Sequence, residues 1–169
     1  MPAPFVHLRL HTAFSLTEST LRIGTLTKLV SDDSQPAAAI TDTNNMLGAM
    51  EFAQTMSTAG VQPIMGTQIE LVDKAGRGDV VLLAQNEVGY GNLSQLLSKI
   101  LLSNDSAQTP ACDIEDLACY SDGLILLTGG ALTGFVGGPA GDGRARLAQQ
   151  RLESLVAFMP GRLYIELQR

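Results

Sequence analysis

Phe5-Val6-His7-Leu8-Arg9-Leu10-His11 alternates apolar and polar side chains, the period of two that a strand imposes. Val6, Leu8 and Leu10 are expected on one face, and His7, Arg9 and His11 on the other. Outward from this segment the chain switches period. Ile23, Leu26, Leu29 and Val30 recur at helical spacing. Ala37–Ile40 reads as a short buried strand that delivers Thr41 and Asp42 to its C-terminal end. Met46, Ala49, Met50, Ala53 and Met56 form a second helical stripe, with Asn44 or Asn45 as its cap and Gly60 after its end.

The same grammar continues to the last residue. Pro63–Val72 reads as one bent strand or two short ones, and Asp73–Gly78 as a turn. Asp79–Ala84 is a strand, Gly89–Leu102 a helix and Ser103–Asp113 a polar loop. Leu124–Thr128 is a buried strand. The glycine-rich stretch Gly129–Gly143 lacks the Gly-Lys-Ser/Thr ending of a phosphate loop and the dinucleotide fingerprint, so it reads as a mobile connector. Arg144–Phe158 is amphipathic, and Leu163–Leu167 is a final strand. Strands alternating with helices predict an α/β fold of βα units with a largely parallel sheet or barrel. The last strand has no covering helix after it, which such an arrangement calls for. We therefore expect residues 1–169 to be one domain, incomplete here and part of a longer protein.

Composition sets outer limits. The chain has 169 residues, 45% of them hydrophobic, enough to build a core. Its formal net charge is −6, and its 11 Lys and Arg are scattered, so a basic surface for duplex DNA is not expected. Cys112 and Cys119 lack the spacing and companions of a zinc site and read as free thiols in a reducing compartment. With neither a signal peptide nor an apolar run long enough to span a bilayer, the expected location is the cytoplasm, away from membranes.

The chemistry concentrates at the end of the first strand. Imidazoles at alternate positions can clamp a divalent metal, and strand ends are where α/β barrels assemble their sites. Arg9 spoils the pattern, because a guanidinium has no lone pair and repels a cation. Asp42, Glu70 and Asp79 offer oxygen ligands for one hard cation at most. His11 reads more simply as a hydrogen-bonded interior histidine, and Arg9 as the partner of Asp42 or Glu18.

The segment from Phe5 through Thr12-Ala13-Phe14-Ser15 resembles the opening motif of the polymerase and histidinol phosphatase (PHP) domain. More narrowly, it resembles the version at the start of bacterial DNA polymerase III alpha subunits. Further similar stretches follow in order: Ala39–Asp42 with Asn45, Leu47 and Gly48; Gly60–Gly66; Leu82–Asn86 with Gly89, Tyr90, Asn92 and Leu93; Gly123–Gly130; and Tyr164–Arg169. The resemblance implies a distorted TIM-like (β/α)7-type barrel and, in active members, phosphoesterase chemistry on about three metal ions. It also implies where this chain departs. Arg9 and Thr43 stand where histidines are usual, Gln68 for a glutamate, Asp79 for a histidine and Gly130 for a cysteine. Glu18 replaces an aspartate, while His7 and His11 are retained.

The implied function is the N-terminal domain of a replicative DNA-directed DNA polymerase. It would be a scaffold and docking site for the proofreading exonuclease and other holoenzyme subunits, without catalytic residues or cofactor of its own. DNA contact, nucleotidyl transfer and Mg2+ would belong to a polymerase region outside this chain. The alternatives are residual metal-dependent phosphoesterase or 3′–5′ exonuclease activity, and a free-standing small-molecule phosphatase.

Overall fold

The computed structural model describes residues 5–103 and 110–167. The chain divides into two compact units, Met1–Thr67 and Gln68–Arg169. The first contains α1 (Ile23–Asp32), β1 (Ala37–Ile40), α2 (Ala49–Thr58) and the beginning of β2 (Gln62–Asp73). β1 runs parallel to Gln62–Met65 of β2, an arrangement that requires the α2 crossover between them. Ile23, Leu26 and Val30 of α1 meet Ala38 and Ile40 of β1 and Phe52 and Met56 of α2 in one core. Each large side chain buried there contributes about 1.5–3 kcal/mol of transfer free energy.

Two helical stripes differ from expectation in detail. Leu29 lies off the buried face of α1 and is exposed. In α2 the buried set is Ala49, Phe52 and Met56, spaced i, i+3, i+7, whereas Met50 points to solvent. Asn45 forms a turn just before this helix, accepting from Leu47 N at 3.1 Å, and Gly48 occupies the N-cap position.

The opening segment is not a regular strand. Its described part lies parallel beside β1 through a single bridge, His7 to Ala38. Ala39 N donates to His7 O at 2.8 Å and Thr41 N to Leu10 O at 2.9 Å, so three steps along this segment match two along β1. One extra residue is a bulge, and it inverts the phase of every side chain after it. Leu10 therefore packs on the core while Leu8 is 41% exposed, where strict alternation would have buried both.

The second unit holds the rest of β2, then β3 (Gly76–Ala84), α3 (Glu87–Ser103), β4 (Cys112–Asp113), α4 (Ile114–Cys119), β5 (Leu124–Leu127), α5 (Gly137–Gly141), α6 (Ala145–Val156) and β6 (Leu163–Tyr164). Its strands run in the order β2-β3-β5-β6, with β4 beside Leu71 and Val72 of β2. The sheet is mixed: β4 lies parallel to β2 and β6 parallel to β5, with β3 the antiparallel member. The two-residue connection Lys74-Ala75 makes β2 and β3 a hairpin, and β3 pairs antiparallel with β5. Val80, Val81, Leu82 and Leu83 are all buried, as a strand covered on both faces requires. Asn86 caps α3 by accepting from Gly89 N at 2.9 Å. Residues 104–109 of the expected polar loop lie outside the described residues, and its end is the short strand β4. Gln168 and Arg169, the end of the last similar stretch, also lie outside them.

The glycine-rich stretch is packed rather than a loose connector. A Cβ on Gly78 would come within 2.5 Å of the Phe135 Cα, and one on Gly129, at φ +77°, within 2.2 Å of Asp79 O. These glycines let the 129–135 backbone lie directly on the start of β3. Asp79 N donates to Thr133 O and Phe135 N to Asp79 O, and α5 follows within the same stretch.

Arg151 of α6 locks this unit. It sits at a core position of an otherwise apolar stripe, between Ala148 and Leu155, and is 4% exposed. Its Nε and an Nη each bond Asp73 at 2.8 Å, the other Nη bonds Phe135 O at 2.9 Å, and the guanidinium stacks 4.1 Å from the Phe135 ring. This fork satisfies the charge that burial exposes to a low dielectric. The Arg151 hydrogen bonds, assisted by the Ala75 and Gly76 amides, hold the Asp73 carboxyl below its ordinary value of 3.8 against the opposing effect of burial. A depressed carboxylate stabilises the fold above its ordinary value, and that stabilisation is lost as pH falls through the native value. Arg151→Ala should therefore cost about 3 kcal/mol in urea denaturation at neutral pH. The stability gap between the unaltered chain and Asp73→Asn should narrow below about pH 4.

Candidate functional site

In the first unit the candidate residues gather where β1 ends. Thr41 fastens the Leu10 backbone: its hydroxyl accepts from Leu10 N at 2.9 Å and donates to Leu10 O at 3.1 Å. The next residue, Asp42, is 1% exposed. Thr12 N donates to its Oδ1 at 2.6 Å, Ser15 Oγ to the same oxygen at 2.6 Å, and Thr12 Oγ1 to its Oδ2 at 2.7 Å. Thr67 Oγ1, from β2, donates to the Asp42 carbonyl at 2.6 Å. A buried carboxylate is costly unless hydrogen-bonded, and here the donors are neutral hydroxyl and amide groups.

A second, more open layer surrounds it. Ser15 Oγ accepts from Thr43 N at 3.1 Å, and Thr43 Oγ1 donates to Glu18 Oε2 at 2.7 Å. His11 Nδ1 lies 3.0 Å from the same Glu18 oxygen, with the two side chains 22% and 39% exposed. His11 is thus half-buried and paired. His7 is half-buried as well; its ring stands edge-on to Phe5 at 4.7 Å, and its Nδ1 has no hydrogen-bond partner among the described residues. Arg9 is half-buried and engaged in polar interactions. Thr12 and Ser15 donate to the Asp42 carboxylate.

In the second unit, Gln68 is buried and engaged. Glu70 forms a salt bridge with Arg77 at 2.9 Å. Asp79 is half-buried, with its backbone bridged to Gly134, and Gly130 is buried with its carbonyl accepting from Gly134 N at 3.0 Å. The structure thus brings Asp79 and the 129–134 turn together. Among the described residues, no three His, Cys, Asp or Glu side chains are placed to hold a metal ion.

Thr12, Ser15 and Thr67 had no individual signal in the sequence. A hydroxyl that donates to a carboxylate about 30 residues away leaves no periodicity. Arg151 did leave one: an arginine on the apolar stripe of an amphipathic helix must find a buried partner. Arg162, whose Nη1 bonds the Ser121 and Leu124 carbonyls, had none.

The chain belongs to the PHP domain family, whose profile matches residues 7–169. It is 37% identical, over 98% of its length, to a DNA polymerase III subunit alpha from Caulobacter vibrioides. It is also 33% identical, over 96% of its length, to an error-prone DNA polymerase from Symbiobacterium thermophilum. It spans only 15% and 16% of those two proteins. A crystal structure described as a metal-dependent phosphoesterase, from Bifidobacterium adolescentis, superposes with a TM-score of 0.64 at 16% identity, over 99% of this chain and 77% of that one. That likeness shows the mixed α/β fold. No helix of the described residues is long and apolar enough to cross a membrane.

The donor set does not fit the metal cluster that the family implies. Holding two or three ions a few ångströms apart takes several imidazole and carboxylate ligands with lone pairs to spare. Arg9 and Thr43 supply neither, Asp42 is committed to hydroxyl and amide donors, and Glu18 is shared between His11 and Thr43.

The two thiols fare differently. Burial, aided by the nearby Asp116 and Asp113 charges, pushes Cys112 up to about 12, and its side chain is almost wholly covered, whereas Cys119 is exposed. The thiolate is the reactive form. A disulfide-exchange reagent at pH 8 should label Cys119 in the folded chain and reach Cys112 only on unfolding, with peptide mapping as the readout.

Proposed function

We propose that this chain is the PHP domain of a DNA polymerase III alpha-type subunit and serves it as a non-catalytic scaffold. The observation that carries the reading is identity extending over 98% of the chain to such a subunit, in place of one shared motif. The altered ligand positions support the non-catalytic part: a guanidinium at Arg9 and hydroxyl or amide groups at Thr43 and Gln68 cannot neutralise developing phosphate charge through bound cations. Nucleotidyl transfer, with its Mg2+, belongs in this reading to a polymerase region outside the chain, as does contact with DNA. A net charge of −6 suits a domain that meets protein more readily than phosphate backbone. The partners are the proofreading exonuclease and other holoenzyme subunits, in the cytoplasm.

The test uses the whole gene product. Primer extension with Mg2+ should be robust, and the exonuclease subunit should co-elute with the full protein and with this domain. With Mn2+ or Zn2+, the domain should not hydrolyse p-nitrophenyl phosphate or a 3′ nucleotide. Metal-dependent turnover by the isolated domain would favour residual phosphoesterase or 3′–5′ exonuclease activity instead. A gene product without polymerase activity would overturn the parent assignment.

A further inference from the structure

In a metal-bound PHP site the cations tie the first segment to the strand ends, so a domain without them needs another tie. We propose that the Asp42 network is that tie: a metal-independent cross-link that joins the 10–18 segment, the end of β1 and the start of β2, and brings the chain to full stability without any divalent ion. The proposal rests on the non-catalytic reading above.

The bonding accounts for itself atom by atom. A carboxylate offers about four lone-pair sites. Asp42 uses two on Oδ1, for Thr12 N and Ser15 Oγ, and one on Oδ2, for Thr12 Oγ1. Ser15 Oγ donates to Asp42 and accepts from Thr43 N, so it is satisfied on both sides. Thr43 Oγ1 passes the chain on to Glu18, and Glu18 to His11. Thr67 secures the Asp42 backbone from the other side. A cation at this carboxylate would have to displace donors already 2.6–2.7 Å away in a site closed to water. Bonds to a buried charge are the stronger kind, and removing one partner leaves the other unsatisfied. The network spans residues 12 to 67, so it supplies the long-range closure that a metal supplies elsewhere.

The 169-residue chain should melt within about 1 °C of the same temperature in EDTA, in Zn2+ and in Mn2+, because an ion that does not bind the native state cannot stabilise it. Calorimetric titration with either ion should give no saturable heat. Asp42→Asn, which keeps the shape, should lower Tm by on the order of 5–10 °C, and added metal should not restore it. Ser15→Ala and Thr67→Val, milder changes that keep the test alive if Asp42→Asn fails to fold, should each lower Tm by a smaller amount. Saturable binding of an ion that raises Tm by several degrees would overturn the cross-link while leaving the polymerase reading intact. Phosphoesterase turnover on top of it would overturn the non-catalytic reading too. Variants that melt with the unaltered chain would also overturn the proposal.

Discussion

A carboxylate with 1% of its surface exposed is the constraint around which the first unit is built. A carboxylate this deeply buried is tolerable only if hydrogen-bond donors surround it before water is excluded. That requirement explains why the 12–15 segment turns back on itself, placing the Thr12 amide, the Thr12 hydroxyl and the Ser15 hydroxyl on one carboxylate. It also gives a purpose to the bulge between His7 and Leu10. The extra residue shifts the phase so that Leu10 enters the core and the following residues arrive at Asp42 with their donors inward.

The second unit solves the same problem with charge. Arg151 reaches from α6 to Asp73 in the β2–β3 turn and to the Phe135 carbonyl, so the glycine-rich stretch, the hairpin and the last long helix meet at one guanidinium. The small residues at Gly78 and Gly129 let that stretch approach β3 closely enough for the fork to close. What reads as a connector by composition is thus a packed layer.

The parts of the fold legible in sequence were those governed by short-range periodicity. Ala37–Ile40 and the helix from Ile23 follow directly from which residues repeat. The turn at Asp73–Gly78 between two strands was legible and is the β2–β3 hairpin, whereas the antiparallel β3–β5 pairing was not, because alternation of strands and helices describes order along the chain and not direction within a sheet. Leu8 was misassigned for a similar reason: a single extra residue flips a face, and alternation cannot show where the ladder slips. In the site, the family motif pointed to His11, Glu18, Asp42 and Thr43, which the structure does bring into one network. It did not reveal that Thr12, Ser15 and Thr67 satisfy the carboxylate, since that depends on contacts 25 to 30 residues apart.

In the proposed non-catalytic reading the domain must still hold its shape, and a hydroxyl network would do so independently of metal supply. The most direct measurement is native-state amide hydrogen exchange of the chain in EDTA, followed by NMR at Thr12 and Thr43. Their amides bond Asp42 and Ser15 and should exchange only with global unfolding, as slowly as those of the core strand β1. Fast exchange of both amides in EDTA, slowed by added Zn2+ or Mn2+, would contradict the account.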